Sequence, residues 1–411
     1  MNKFLIFFFF YITVFSQVSS HQDLENYRIP LTYHSNDTIL GLPLFSNNFH
    51  FFTKHSIADW YNLSDNTIDF ENYISDNKSI EMIFFLDNNI FNFGLPFRDS
   101  YLSFGINHHI YGNLNFSNEL LSLFWNGNSQ YLNQTIDFFN NRLGFIQYSS
   151  IYFQSYFQYK DCKMGARFNF LHGINYFNLD RGHFSFNSVN NLITPFSTYI
   201  STNIYARTSN SNLIGFSNPG LSLDYAVKFD IKDFNFSIQL ENLGFIYWNK
   251  NTYAHNSNTH NYLFNGFDYT MDEVVSEELE NTLDTLSDIF AISSEKDSRF
   301  ITRTPLKFSI QASMKTSVDT DLFIDFKCIE DWGETGNRDF LNMYFIGVSK
   351  DVSDKIILFS TFNYNKFSPF NLSLGIFSKF DNWMFKLNTN NLFALFSEKY
   401  FHINTSLYYT F

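Results

Sequence analysis

Histidine and serine are the residue types in this 411-residue sequence with the best chemistry for catalysis, and there are 11 histidines among many serines. A Ser–His pair supplies the nucleophile and base of many ester hydrolases. His172 and His183 flank a predicted hairpin near Ser185, but chance pairs are expected in a chain of this composition. His108 and His109 are neighbours on a predicted strand, where successive side chains point to opposite faces. They cannot form one site, and we predict no catalytic residues and a protein that is not an enzyme.

The sequence gives equally weak support for a metal site or a cofactor site. His255 and His260 lie in an Asn-rich segment, where solvated histidines are commoner than metal ligands. Cys162 and Cys328 are too far apart for a disulfide framework or a zinc motif, and either two thiols or one bridge fits the sequence. A phosphate-binding glycine loop and a dinucleotide fingerprint are also missing from the sequence. We therefore predict no metal, no cofactor and no catalytic site.

The composition suggests contact with lipid. Charged residues make up 16% of the chain, against about 25% in a typical globular domain. Aromatic residues make up 21%, with 55 Phe and 25 Tyr. So apolar a chain is not disordered, and it has few charges to cover a soluble surface. The net charge of −13 gives no electrostatic basis for binding nucleic acid, so that class of partner is excluded.

The N-terminus has the three parts of an export signal. A basic start at residues 1–3 precedes an apolar run at 4–15, and small residues follow at Ser16, Ser19 and Ser20. The run is shorter than the ~20 residues that a membrane-spanning helix needs. We predict a signal peptide at 1–20, with cleavage after 16 or after 20, and no transmembrane helix in the mature chain.

Most of the remaining sequence alternates between apolar and polar residues, as in strands with two unlike faces. In 221–231 and 234–240 every second residue is apolar, and Lys232-Asp233 forms a short polar link between these segments. This pattern predicts an antiparallel hairpin. Segments of this kind lie at 47–55, 80–95, 100–112, 143–159, 163–177, 183–191, 196–207, 220–230, 233–243, 304–315, 321–329, 340–350, 355–364, 370–380, 382–391 and 401–411.

Three features favour a membrane barrel over a soluble sandwich. The segments are about ten residues long, which suits a tilted strand crossing a bilayer. Their apolar face is rich in aromatic residues, as at membrane interfaces. The last strand places Leu407, Tyr409 and Phe411 on one face, which resembles the C-terminal signal read by the bacterial barrel-assembly machinery. We predict an all-β fold, a transmembrane antiparallel β-barrel of about 14–16 strands.

The links between the predicted strands alternate in length. Tight links such as Arg98-Asp99 and Asp381-Asn382 fall on one side, and long links fall on the other, including an outer loop at 244–303. This is the rule for outer-membrane barrels, with short periplasmic turns and long outer loops. The barrel is predicted to cover 47–411, after a periplasmic segment at 21–46 that is a candidate hatch.

The longest outer loop contains a predicted helix at 268–290. One face is acidic, and the commoner role of such a helix is a solvated cap over the barrel mouth. The alternatives are attraction of cations and partner docking, the latter through the apolar residues Val275, Leu279, Leu283 and Leu286. Polar residues that should face the lumen are mixed in sign and predict no ion selectivity. They include Asp224, Lys228, Gln239, Glu241, Gln311, Asp325, Lys327 and Lys386.

Several segments resemble an uncharacterised barrel family, a domain of unknown function found in Bacteroidota-type Gram-negative bacteria. The similar stretches are the hairpin and W-x-G-N segment at 91–128, then 164–177, 240–251 and 264–269. The resemblance implies an outer-membrane barrel, usually of 14 strands, broadly similar to the long-chain fatty-acid transporter and to the shuttle barrel of type IX secretion. It implies no catalytic residues.

Together these observations predict a protein of the Gram-negative outer membrane, surrounded by its lipid and inserted by the barrel-assembly machinery. The leading functional hypothesis is a passive channel or transporter for small, including hydrophobic, molecules. The alternative is a non-catalytic scaffold or binding barrel with a partner in protein secretion or envelope assembly.

Overall fold

The computed structural model describes residues 38–411, with gaps at 42–45, 54–60, 63–66, 69–78, 99, 120–121, 123–133, 139–141, 190–196, 213–216, 265–292, 318, 331–339, 354 and 393–398. Within these described ranges, no helix is long and apolar enough to cross a membrane. The predicted signal peptide and the predicted helix at 268–290 lie outside the described residues.

Strands account for nearly all of the described chain. In order they are β1 (Ile39–Gly41), β2 (Ser46–Thr53), β3 (Tyr61–Asn62), β4 (Thr67–Ile68), β5 (Ser79–Phe97), β6 (Ser100–Ser117), β7 (Thr135–Phe138), β8 (Arg142–Tyr159), β9 (Cys162–Val189), β10 (Ser197–Asn210), β11 (Pro219–Ile231), β12 (Phe234–Trp248), β13 (Thr252–Phe264), β14 (Ser293–Lys296), β15 (Phe300–Arg303), β16 (Lys307–Ser317), β17 (Thr320–Glu330), β18 (Phe340–Ser353), β19 (Ile356–Asn365), β20 (Asn371–Phe380), β21 (Trp383–Thr389) and β22 (Tyr400–Thr410).

The sheet closes on itself as an antiparallel barrel. The last strand, β22, pairs with both β1 and β2, and these two pair in turn with β5 on their other side. Closure leaves the sheet without a free edge, which a membrane requires because lipid cannot satisfy backbone groups. The wall has 14 strands, several of them interrupted along their length: β1 with β2, β7 with β8, β10 with β11, β12 with β13, and β14 with β15 and β16.

The wall has 14 strands, within the predicted range of 14–16, although 16 segments alternate in the sequence, because two pairs of these segments merge. The segments 163–177 and 183–191 belong to the single strand β9, which runs through the expected link at 178–182. The segments 196–207 and 220–230 pair with successive parts of β9, so β10 and β11 form one wall strand. Residues 211–218 separate them in the sequence, and 213–216 lie outside the described part.

The two faces of the wall differ as the alternation predicts. The outward face carries exposed apolar side chains, such as Phe168 (58% exposed), Phe170 (61%) and Phe362 (68%). Between them, Arg167 and Asn169 point inward and are buried. A soluble sandwich would place its apolar face inside, so this inverted arrangement identifies a membrane-spanning barrel. Four short turns at one end each contain a residue with positive φ: Arg98, Lys160, Lys232 and Asp381.

Strands extend into the segments predicted as loops or as a hatch. Ile39–Gly41, within the predicted segment 21–46, is part of the barrel wall. The outer loop predicted at 244–303 contributes most of its described residues to strands, and 265–292 lies outside the described part. One side of the barrel is therefore much taller than the other, since β9 has 28 residues and β21 has 7.

Asn218 organises the place where the tall wall is interrupted. Its φ is 53°, and its side-chain carbonyl accepts hydrogen bonds of 2.9 Å from the backbone N–H groups of Asn249 and Lys250. Its side-chain amide donates to the carbonyl of Gly173 and to the hydroxyl of Ser209. One side chain thus joins β9, β10 and the link after β12, which keeps this irregular stretch hydrogen-bonded inside the wall.

Candidate functional site in the barrel lumen

The centre of the lumen contains a hydrogen-bonded polar layer built around Asp87 of β5. This carboxylate is fully buried and meets three donors from two sides of the barrel. Nδ1 of His109 lies 2.6 Å from its Oδ1, and the hydroxyl of Tyr111 donates to the same oxygen at 3.0 Å. Nζ of Lys307 lies 2.5 Å from Oδ2. Hydrogen bonds of this kind offset the cost of burying a carboxylate.

The Lys307–Asp87 ion pair crosses the lumen. Lys307 begins β16 and Asp87 lies in β5, and six wall steps of the 14-strand barrel separate these strands. Asn242 also reaches across, with its amide 3.4 Å from the Tyr111 hydroxyl. We call this Lys307–Asp87 ion pair the strut. It joins opposite walls, so nothing large can move along the lumen while it is formed.

A second buried ion pair supports the neighbouring wall. Arg167 of β9 is 1% exposed, and its guanidinium donates to the Gln154 carbonyl at 2.6 and 3.0 Å and to Asp224 at 3.2 Å. It also lies 4.9 Å above the ring of Tyr152. The other oxygen of Asp224 accepts a 2.7 Å bond from the backbone N–H of Asn242. This network links four adjacent wall strands.

Apolar clusters close the lumen above and below the polar layer. The inner cluster, towards the short turns, consists of Ile39, Tyr101, Tyr156, Phe359, Phe377, Met384 and Tyr408. The outer cluster includes Phe52, Phe85, Tyr148, Tyr176, Trp248, Phe345, Phe367 and Tyr400. At the outer end, the ion pair of Lys366 with Glu81 (2.6 Å) again joins opposite sides. In the described residues, the lumen is therefore packed and closed.

A cavity of about 90 Å³ remains beside the strut. Its lining is part polar and part apolar, and comes from both halves of the wall. It includes His50, Glu241, Lys307, Lys327, Asn390 and His402, together with Phe85, Ile329, Met343 and Phe345. Such a mixture suits a small ligand with both apolar and hydrogen-bonding parts.

The cavity holds a pair of histidines in contact. The ring centroids of His50 and His402 are 4.1 Å apart. The backbone N–H of Asn390 donates to Nδ1 of His402 at 3.1 Å, so Nε2 of this neutral ring donates to Asn48 Oδ1 at 3.0 Å. The Tyr400 hydroxyl approaches Nδ1 of His50 at 3.3 Å. Both rings are thus held in place against the space that a ligand would occupy.

Most of the histidines and cysteines that the sequence offers as candidate site residues do not come together in the structure. His109 points inward to Asp87, and His108 points outward, as strand geometry predicts. His172 contacts the backbone carbonyls of Asn212 and Ser217, and within β9 it forms no hairpin with His183. Cys162 and Cys328 are both free thiols. Among the described residues, no group of three His, Cys, Asp or Glu could hold a metal ion.

The predicted lumen residues lie largely where expected. Asp224, Gln239, Glu241, Gln311, Asp325 and Lys386 are buried inside the barrel, and Lys228 and Lys327 are half-buried. The strut was missed. The alternation of apolar and polar residues shows that each of its two residues lies at an inward position of its strand. It does not show that they pair, because their pairing depends on how the barrel closes. The proposed docking residues Val275, Leu279, Leu283 and Leu286 lie outside the described residues.

The three residues of the predicted assembly signal share the outward face of the last strand. The ring of Tyr409 is 4.9 Å from that of Phe411 and 5.0 Å from that of Trp383. Phe411 is 67% exposed, and its backbone N–H bonds to the carbonyl of Thr38. Leu407 lies two positions earlier on the same face. Their recognition by the assembly machinery stays a prediction.

Replacing Phe411 with alanine should therefore impair insertion and leave the finished barrel stable. Its side chain is mostly exposed, so little packing is lost on folding. We expect a several-fold lower amount of heat-modifiable protein in the outer membrane, and an unchanged urea midpoint for protein refolded in detergent. Phe380→Ala, at an outward residue that is 57% exposed near another short turn, is the control and should change neither quantity. Normal membrane levels of the Phe411 variant would contradict the predicted signal.

Several solved structures resemble this barrel. The toluene transporter TbuX of Ralstonia pickettii has 8% sequence identity and a TM-score of 0.44, covering 92% of this chain and 90% of its own. A mutant of the TodX monoaromatic hydrocarbon channel has 8% identity and a TM-score of 0.48, covering 97% and 96%. The translocator domain of the autotransporter NalP from Neisseria meningitidis has 4% identity and a TM-score of 0.35, covering 92% and 90%. None of these similarities is high enough to assign a ligand to this chain.

The sequence comparisons identify the family and not a function. No curated protein matches the sequence significantly. A family model described as "Family of unknown function (DUF5723)" matches residues 32–410, which include the whole barrel. The chain therefore belongs to this family of unknown function.

Proposed function

We propose that the protein is a gated outer-membrane barrel through which small molecules with both apolar and polar parts pass passively. The observation that carries the proposal is the cavity beside the strut, which lies in the lumen against residues of the outer apolar cluster. A ligand entering from the outer side would pass aromatic side chains, meet hydrogen-bonding groups at the cavity, and leave through the inner cluster. No step requires bond making or an energy source.

Gating follows from the closed lumen. The strut and the two clusters must move before a solute can cross, so the resting state should conduct poorly. The mixed signs of the lumen charges favour neither cations nor anions. Selection would rest on size and on complementarity to the cavity, where amines, amides and imidazoles lie beside Phe85 and Phe345.

Filling the cavity should block passage. Met343 is 1% exposed and lines the cavity, so Met343→Trp would place a larger ring in this space. We expect proteoliposomes containing the wild-type barrel to swell slowly in small amino acids, and those containing the variant to match protein-free liposomes. Ile346→Trp is the control, because this residue lies on the same strand but is 59% exposed to lipid. Equal swelling with both variants would refute passage through this cavity.

A binding or scaffold role is the second candidate, and the height of one wall favours it. The 28 residues of β9 correspond to roughly 70 Å along the barrel axis, at about 3.4 Å per residue and a tilt of about 40°. The apolar band of such barrels is only about 25 Å tall. The excess would stand outside the membrane, where a secretion or envelope partner could bind. Crosslinking from outward positions of β10 in intact cells would test this binding or scaffold role. A crosslinked partner band of one size would support it.

A further inference from the structure

Glu241 of β12 is a buried carboxylate that the closed lumen leaves without a cation. It is 8% exposed and lines the cavity beside the strut. Among the described residues, its carboxylate accepts one hydrogen bond, from the Gln239 amide at 2.5 Å, and forms no ion pair. One hydrogen bond offsets only part of the cost of burying a carboxylate. Such a position indicates a cation that reaches Glu241 in another arrangement of the lumen.

Lys307 is the cation best placed to reach this carboxylate. Glu241 and Lys307 are directly opposite each other in the register of β12 and β16, and both line the cavity. The Cβ atoms of such opposite residues lie about 4.5–5.5 Å apart. Rotation about the side-chain torsions of the lysine can therefore bring its ammonium to Glu241. In the closed lumen the ammonium lies instead 2.5 Å from Asp87 of the facing wall.

The other lysine of the cavity, Lys327, is less well placed. Its ammonium lies 3.4 Å from Asp325 of the same strand and 5.4 Å from the centre of the Phe345 ring. Its strand, β17, pairs with β16 and β18, so β16 separates Lys327 from Glu241 on β12. Movement of Lys327 to Glu241 would also break the ion pair of Asp325, which is 2% exposed.

Asp87 can release Lys307 and keep its other donors. Nδ1 of His109 and the hydroxyl of Tyr111 lie 2.6 and 3.0 Å from Oδ1 of Asp87, whereas the lysine meets Oδ2. The cavity of about 90 Å³ beside the strut gives the lysine side chain room to turn. Lys307 therefore has two carboxylates within reach, Asp87 across the lumen and Glu241 beside it on the neighbouring strand.

We propose that Lys307 is a two-position gate, whose ammonium pairs with Asp87 when the lumen is closed and with Glu241 when it opens. The inference rests on the proposed function, because it names how the strut of that passage is released. In the second position the ion pair joins adjacent strands and no longer crosses the lumen. A lysine that left Asp87 without meeting Glu241 would be a buried unpaired charge, which is strongly unfavourable. Glu241 therefore lowers the free energy of the open lumen.

A double-mutant cycle in urea tests this exchange without any measurement of passage. In Asp87→Asn or Glu241→Gln, Lys307 can pair with the carboxylate that remains, so each single variant should shift the unfolding midpoint only modestly. The double variant leaves the lysine with neither carboxylate, and its loss of stability should exceed the sum of the two single losses. This non-additivity should disappear in a Lys307→Met background and persist in a Lys327→Met background.

The Lys307→Met background is the decisive control. Repulsion between Asp87 and Glu241 would also make the cycle non-additive, but it would survive the loss of the lysine. The proposal is overturned if the cycle is additive in the wild-type background, or if it is equally non-additive without Lys307.

Conductance of the purified barrel in planar bilayers is the second readout. Asp87→Asn should raise it several-fold, because Lys307 then rests on Glu241, and Glu241→Gln should open less often than the wild type. Glu295→Gln, at an exposed position of β14, should conduct as the wild type does. An Asp87→Asn barrel that conducts no better than the wild type would overturn the gate. A cycle that depends on Lys307, together with unblocked swelling of Met343→Trp, would support the exchange and overturn the proposed route through the cavity.

Discussion

Lys307→Met is expected to raise the conductance of the purified barrel several-fold in planar bilayers. The substitution removes the amine that bridges the lumen to Asp87 and retains a side chain of similar length. Asp87 would keep His109 and Tyr111 as donors, so the polar layer should persist on one wall while the connection to the other wall is lost. Without the strut, thermal motion of the wall can widen the cavity.

The same variant should lose stability. Removing one partner of a buried ion pair typically costs about 3–5 kcal/mol. The Lys307 side chain is 15% exposed and that of Asp87 is fully buried, so the lower end of this range is expected for the urea unfolding free energy. Lys307→Arg should retain both the closed lumen and most of the stability, because it restores a charged donor.

Lys315→Met is the matched control for conductance. This lysine lies on the same strand, near a short turn, and is exposed. Its variant should conduct as poorly as the wild type. A folded Lys307→Met barrel that conducts no better than the wild type would show that the strut is not the barrier. Steady openings of the wild type would show that the closed lumen is not the resting state.

Much of the wall could be predicted from alternation alone, because strand geometry determines which face each residue occupies. His108 and His109 separate for this reason, and Asp224 and Lys386 are buried inside for the same reason. The strand count was harder to predict. Asp180-Arg181 has the composition of a turn but lies within β9, where Asp180 pairs with Arg207 of the next strand at 2.5 Å. Tertiary pairing overrides local turn preference at such a site.

The site itself could not be predicted, because it depends on contacts between distant residues. Asp87 and Lys307 are separated by 220 positions, and each is only an inward polar residue in its own strand. Their meeting depends on the strand number and on the register all round the barrel. The hydrogen bonds that join Gln147 on the outward face to His108 and Asn175 were missed for a similar reason, because they connect three strands. A bulge in β9, opposite Gln147 and Tyr148, also shifts the alternation of that strand by one residue.

Arg167→Met is expected to destabilise the barrel as strongly as any single substitution in the polar layer. The guanidinium is 1% exposed and makes hydrogen bonds to Gln154 and Asp224, and the variant would leave Asp224 buried without its cation. Breaking a buried pair in this way costs about 3–5 kcal/mol. The variant also loses the contact with the Tyr152 ring, so the upper end is expected in urea titrations of detergent-refolded protein.

Arg167→Lys separates the contribution of the positive charge from that of the planar guanidinium. A lysine restores the cation but cannot bond Gln154 and Asp224 together in the planar arrangement of a guanidinium. We therefore expect it to recover part of the lost unfolding free energy. Arg299→Met, at an exposed position, should leave the urea midpoint unchanged. If Arg167→Met unfolds at the wild-type midpoint, the ion pair with Asp224 contributes nothing net, and the apolar clusters alone hold this part of the lumen together.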